Sequence, residues 1–403
     1  MAPPRKHMLI FAVLIVIFEL IAAWLVGLDR PAWEDEAHFY RTVRLFGSNP
    51  SLTTLRTYPE MSTPVPFAAY AVWGRLFGYE LSHLRTLSIL FGLLTYLIFF
   101  QLLSRLVSDL RLVWFGAILL VLEPYMIGFT MFVYTDISAI LFGTLALFGL
   151  ARRSAWITCA GLALAVLCRQ YMAFLTVTAF IFFACEWFAN KKPDTLRQLA
   201  AVVLSAIPFA ALVLFWGGTS PDNTLRQQFL GDGVRFHPEM LSLYIACLFV
   251  YLLPLFALSA RRFYTNWKVL ALSVIGVGFI VFFPIKVSAP LAILGVSRVG
   301  QFHRILKIVL GNEFLIHMGF AVCFLFALPM VLYLTRDLFT RIREMRIDFR
   351  FLLGLSVAVF LVMMPFSYLG WEKYLMPVIP GAIVYLILVF DSERRPAVSV
   401  VSR

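Results

Sequence analysis

The stretch from Met8 to Leu28 reads MLIFAVLIVIFELIAAWLVGL, and runs of this kind recur along the whole chain. About 20 apolar residues in a helix cross a bilayer. Lipid offers nothing to bare backbone N–H and C=O groups, so a spanning segment is a helix or part of a closed barrel. The runs are long and have no period-two alternation, which selects helices. With 61% hydrophobic residues, 40 Phe and a mean hydropathy of +0.87, the chain does not fit a soluble domain. The expected fold is all-α: a polytopic transmembrane helical bundle, one integral membrane domain over residues 1–403.

Roughly twelve spans can be placed, near 8–28, 84–106, 112–131, 135–150, 155–170, 172–189, 199–216, 241–259, 269–285, 315–334, 351–368 and 376–390. Arg5 and Lys6 precede the first run, which lacks a small-x-small cleavage site and reads as an uncleaved anchor. The connections ARRS (151–154), NKKPDTLRQ (190–198), ARRFYTNWK (260–268) and TRDLFTRIREMRIDFR (335–350) are strongly basic. Cytoplasmic loops collect Lys and Arg, so these connections and both termini are assigned to the cytoplasm. That placement accounts for the net charge of +12 without a nucleic-acid partner. The five cysteines lie in or beside apolar runs with no CxxC or Cys/His ligand spacing, which points to buried free thiols.

The opposite face carries three long connections, residues 29–83, 217–240 and 286–314, and most of the remaining polar chemistry. Such loops, held on a rigid scaffold, commonly carry function. The first is aromatic and broken by Pro59, Pro64 and Pro66, and is expected to form short interfacial helices. The third is basic and amphipathic, suited to anionic headgroups.

Five motifs stand out. PAWEDEAHFY (31–40) sets Glu34, Asp35 and Glu36 side by side, and Asp35 and His38 share a helical face at i,i+3. A carboxylate there can act as a general base, ligate a cation, or belong to a solvated acidic loop. YTDIS (134–138) puts Asp136 at the start of a span, where an ionisable group suggests function and Thr135 or Asp136 could equally cap the helix. CRQYMAF (168–174) places Arg169 and Gln170 between two spans: a phosphate clamp or a snorkelling arginine. GDGVRFHPEM (231–240) offers Asp232 and His237, or simply a turn with a surface histidine. WEKYLMPVIP (371–380) offers Lys373 as a phosphate partner or as an interfacial anchor.

Taken in order, these motifs resemble the GT-C class of membrane glycosyltransferases, and in local detail the dolichyl-phosphate-glucose α-1,2-glucosyltransferase family. The resemblance rests on Asp35-Glu36 with His38, on Thr63, Pro64 and Pro66, on Tyr134-Thr135-Asp136, on Arg169-Gln170, on Gly231-Asp232 with His237, and on Lys373, Tyr374, Met376 and Pro377. This chain departs from the family in the interrupted proline pair TPVP, in the residues after Gln170, and in Lys373 where the family has Arg. A prokaryotic relative fits its shorter length.

The resemblance implies an inverting hexosyl transfer from a polyprenyl-phosphate carrier to a lipid-linked or other glycan acceptor, on the outer or lumenal face of a plasma or endoplasmic reticulum membrane. Asp35 would be the base, with Glu36 and His38 positioning it or the acceptor. Arg169 and Lys373 would meet the phosphate, with Arg298, Arg304 and Lys307 as further cations. Asp136 and Asp232 would orient sugar hydroxyls; Tyr134, Gln170, His237 and Tyr374 complete the substrate-binding set. No obligatory cofactor is implied, although Asp35 and Glu36 could bind a divalent cation. The competing class is a secondary transporter or lipid flippase, which twelve spans would suit; transporters usually set charges near the midplane and often show internal repeats, and no repeat is visible here.

Overall fold

The computed structural model describes residues 5–229, 235–287, 292, 296–367 and 369–394. It is helical throughout, with no strand among the described residues. The chain is an integral, multi-pass membrane protein.

Each span placed from sequence falls on helix, but 112–131 and 241–259 each fall on two helices, and fewer than the twelve expected are long enough to cross. Seven helices are long and apolar enough to cross a bilayer. An eighth crossing is possible if Leu110–Val121 and Pro124–Met131, bent by 58° at their junction, act together. The other four, Thr135–Ala151, Ala155–Cys168, Pro238–Tyr251 and Trp267–Phe282, run only 14 to 17 residues. Local chemistry shortens two of them. The expected span 155–170 stops at Cys168, and Gln170–Met172 continues as a 3-10 turn. The expected span 241–259 breaks after Tyr251, and Leu253–Leu258 resumes with Pro254 in its first turn, where a missing N–H costs nothing. Arg169 and Gln170 mark the first break in the sequence, whereas the second lies inside a continuous apolar run.

Packing divides the chain into two compact units. The first comprises Met1–Arg105 and Ala117–Gly233, the second Leu106–Gly116 and Val234–Arg403. Within the first, the connection after the opening helix Arg5–Val26 folds into three short helices, Glu36–Ser48, Leu52–Thr57 and Val65–Phe77. Ser51 caps the second of these by accepting from Thr54 N–H at 3.1 Å. The third buries Phe67, Tyr70, Ala71 and Gly74 on one face.

One ion pair ties this connection to the bundle. Glu36 and Arg85 are both fully buried. Arg85 donates to Glu36 through Nε at 2.9 Å and Nη2 at 2.6 Å. It also closes the carbonyls of Leu28, at 2.6 Å, and Arg30, at 2.8 Å, at the end of the first helix. Glu36 accepts in addition from Val133 N–H at 2.8 Å and Trp33 N–H at 3.1 Å.

In the second unit the long helix Glu313–Arg343 is capped by Asn312, which accepts from Phe314 N–H at 2.8 Å. Towards its far end Asp337 pairs with both Arg341 and Arg350.

Removing one partner of a buried, hydrogen-bonded pair strands the other charge, typically at a cost of about 3–5 kcal/mol. Arg85→Ala is therefore expected to lower thermal stability by about that amount. A melting temperature within 1–2 °C of wild type, roughly a tenth to a half of that penalty, would show that the pair does not hold the connection.

Candidate functional site in the first unit

The first connection does not lie loose over the helices. Its segment Tyr58–Thr63, fixed by Pro59 and Pro64, is laced to three distant parts of the same unit. Tyr58 Oη donates to Ser62 O at 2.5 Å, closing the segment on itself. Asn223 donates to Tyr58 O at 2.7 Å and to Glu60 O at 3.1 Å. Thr63 Oγ1 donates to Val166 O at 3.0 Å, and Gln170 Nε2 donates to Met61 O.

Two carboxylate centres flank this segment. In the first, Glu34 turns the chain with a left-handed φ of 47°, a conformation that costs a non-glycine residue about 1 kcal/mol or more. Asp35 then opens the helix Glu36–Ser48 as its N-cap residue, its side chain making no capping bond. His38 Nε2 stands 3.5 Å from Asp35 Oδ1, the i,i+3 approach that the spacing predicts. On its other side His38 Nδ1 meets Glu60 Oε1 at 2.6 Å. Glu60 is buried and also accepts from Thr42 Oγ1 at 3.4 Å. Burial works against a charged imidazole, but the hydrogen bonds and charges of Asp35 and Glu60 outweigh it and push the His38 pKa up to about 9. At neutral pH an imidazolium thus sits between two carboxylates.

In the second centre, Asp136 is buried in the first turn of Thr135–Ala151. It does not cap the helix; Tyr134 holds that position without a side-chain bond. Asp136 accepts instead from Arg169 Nη2 and Tyr171 Oη, each at 2.6 Å. Arg169 Nη1 donates to Ser62 Oγ at 2.8 Å, and its guanidinium lies over the rings of Phe39 and Tyr171, at 5.6 and 5.7 Å. The break at Cys168 makes this possible, because extended backbone at Arg169 turns its side chain back toward the Tyr58–Thr63 segment. Tyr134 joins the two centres by packing edge-on to Phe39 at 5.7 Å.

Asp35, His38, Tyr134, Asp136, Arg169 and Gln170 are therefore neighbours within one unit, though they span 135 positions of sequence. Glu36 belongs to the same helix as His38, but its oxygens are committed to Arg85, Val133 N–H and Trp33 N–H. Two expectations change with that. Glu36 braces the helix from inside rather than facing a substrate. Asp35 and Glu36 also do not form a paired cation site, and no cluster of three or more His, Cys, Asp or Glu side chains fit to hold a metal occurs among the described residues. Arg169 differs from expectation too, with both terminal nitrogens engaged by Asp136 and Ser62. Sequence reasoning passed over Glu60, Ser62, Tyr171 and Arg85. The signal for Glu60 was available: an acid inside the proline-bounded YPEMSTP stretch.

His237, Arg304, Lys373 and Tyr374 lie in the second unit, and Asp232 lies outside the described residues. His237 precedes Pro238–Tyr251, with its N–H bonded to Pro365 O at 2.7 Å and Nδ1 3.4 Å from Glu239. Lys373 is buried, with Nζ over the Trp371 ring at 5.3 Å and the Tyr374 ring at 5.9 Å. Beside it, Glu372 accepts from Tyr251 Oη at 2.5 Å and from the N–H groups of Phe302 and His303, each at 2.8 Å. That carboxylate sits on the positive end of the amphipathic helix Gln301–Leu310, which carries Arg304. Burial pulls the His303 pKa down.

No family model and no curated protein matches the chain. Among solved structures it is similar to crystal structures of ArnT from Cupriavidus metallidurans. The apo state shares 14% identity at a TM-score of 0.42, and the state bound to undecaprenyl phosphate shares 16% at 0.43. Each overlap covers 95% of this chain and 77% of that one. Overlaps at this level assign neither a fold family nor a function.

The His38 cluster predicts a pH signature. Its pKa is raised on folding from 6.5 to about 9, so its stabilisation is complete below pH 6.5 and is lost as pH rises through 9. Thermal unfolding of wild type and Glu60→Gln should differ at pH 6 and converge above pH 9. A constant difference across that range would remove the imidazolium from the cluster.

Proposed function

We propose that the chain is a membrane glycosyltransferase of GT-C type that moves a sugar, a hexose such as glucose, from a polyprenyl-phosphate carrier to a hydroxyl of a lipid-linked glycan or related acceptor. The observation that carries this reading is the meeting of Asp35, His38, Tyr134, Asp136 and Arg169 around one proline-bounded outer segment. These are the positions on which the family resemblance rests.

Asp35 is the proposed base. It stands at the open end of its helix, about one-third exposed, and the Asp35–His38–Glu60 contact fixes its direction. A base so held can take the proton of an acceptor hydroxyl as the sugar transfers. Asp136 and Arg169 act as the brace that holds the outer segment in register, with Tyr171 and Tyr134 forming its aromatic wall. The departing phosphate needs cations; the family resemblance assigns that role to Lys373 and Arg304 of the second unit, and assigns Tyr374, His237 and Asp232 to the acceptor or sugar. A groove of about 470 Å³ between Val65–Phe77 and Leu81–Leu106 is lined by apolar side chains, among them Val72, Leu76 and Phe91, and suits an isoprenoid chain. The site faces the outer or lumenal side, with both termini cytoplasmic.

A secondary transporter remains the competing reading, favoured by one observation: Glu19 is buried inside a membrane-spanning helix. Product formation in detergent, with no sealed compartment, separates the two. Purified protein supplied with polyprenyl-phosphate sugars and lipid-linked acceptors should transfer sugar. Asp35→Asn should lower that rate by about 10²–10⁴-fold, the usual worth of a general base. Wild-type rates in the Asp35→Asn protein would remove Asp35 from the role.

A further inference from the structure

Glu19 has no part in the site above, yet its position demands an explanation. It lies about two turns inside the C-terminal end of Arg5–Val26 and is 1% exposed. Neither of its carboxylate oxygens accepts a hydrogen bond from any described residue. An ionisable group in a membrane-spanning segment is costly and marks a pathway or a binding site by default.

Its surroundings are built from oxygen. Gly92 on Leu81–Leu106 lets the helices close tightly there: a Cβ at that position would stand 3.7 Å from Glu19 Oε1 and collide with Thr130 Cγ2, whose methyl fills the space. One turn further along the same helix face is Tyr96, also 1% exposed, whose hydroxyl makes no hydrogen bond among the described residues. Tyr96 lies within the electrostatic reach of both Glu19 and Glu123. Glu123 is buried at the 58° bend, where Oε2 caps Met126 N–H at 2.9 Å. The Thr130 hydroxyl lies beside both the Glu19 and the Tyr96 side chains; it donates to Ile127 O at 3.0 Å and keeps its oxygen lone pairs. No Lys, Arg or His contacts Glu19 in the described structure.

We infer that Glu19, Tyr96 and Glu123 form a binding site for a small hard cation inside the membrane-spanning part of the first unit. Carboxylate and phenol oxygens are hard ligands suited to such ions and lack the soft or nitrogen donors that transition metals prefer. A cation there would be met by the Glu19 carboxylate and by the lone pairs of the Tyr96 hydroxyl, groups with no hydrogen-bond partner among the described residues. This site is separate from the Asp35 cluster and does not depend on the transferase reading.

The test is thermal unfolding of the full-length protein in detergent at constant pH and ionic strength. Choline chloride is replaced stepwise by NaCl, LiCl, MgCl₂ or CaCl₂. A ligand bound only by the folded state should raise the melting temperature by about 1.5–2 °C per tenfold rise in concentration beyond half-saturation. The ion that does so identifies the occupant. The rise should vanish in Glu19→Gln and weaken in Tyr96→Phe, a milder change that keeps the ring and guards against misfolding of the first variant. If no ion raises the melting temperature of wild type above the choline series, the site does not bind a cation. If the rise persists undiminished in both variants, the ion binds elsewhere. Either result overturns the assignment.

Discussion

The pairing of Glu36 with Arg85 is the constraint on which the rest of the first unit depends. An arginine near the start of a membrane-spanning helix must satisfy five N–H donors without water. It does so by gathering one carboxylate and the carbonyls that close the first helix. A carboxylate in the same place must satisfy its oxygens, and it does so through Arg85 and two backbone N–H groups. Each group thereby meets the other's need, and the result fixes where Glu36–Ser48 begins. That start in turn sets the direction of Asp35 and His38, the groups of the cluster that stay partly exposed. Such a pair contributes specificity of placement rather than net stability, since a well-packed apolar pair of similar volume could be as stable.

The same logic explains the second centre. Asp136, Arg169, Tyr171 and Ser62 satisfy one another at the junction of two helices, and the cost of burying them is offset only when all are present. Sequence alone could not reveal this. A carboxylate paired inside and a carboxylate open to substrate look identical in a string of letters. Glu36 and Asp35 are adjacent, yet helix geometry sends one into the bundle and leaves the other at the open end.

What sequence does carry is periodicity and punctuation. The apolar runs located every helix that could approach a span, because lipid forces both composition and conformation. The i,i+3 spacing of Asp35 and His38 was legible for the same reason: helix geometry is fixed. The break near Cys168 was marked by Arg169 and Gln170 to within two residues, whereas the break after Tyr251 was not legible, since it falls inside the apolar run placed at 241–259. Glu60 was missed because its partner lies 22 positions away and reaches it only through a turn. Tyr96 and Glu19 could not have been linked at all, being joined only by the packing of separate helices around a glycine.

The spacing of the contacts has a consequence for biogenesis. Glu36 and Arg85 are 49 positions apart, whereas Ser62 and Arg169 are separated by 107. During synthesis at about 5–20 residues per second, Arg85 follows Glu36 within several seconds, and Arg169 reaches Ser62 only roughly ten seconds after Ser62 itself is made. The Tyr58–Thr63 segment must therefore wait while the helices from Leu81–Leu106 to Ala155–Cys168 are made. Its two prolines and the Tyr58–Ser62 closure give it a shape of its own during that interval, so that the late-arriving arginine finds a formed acceptor rather than a loose loop.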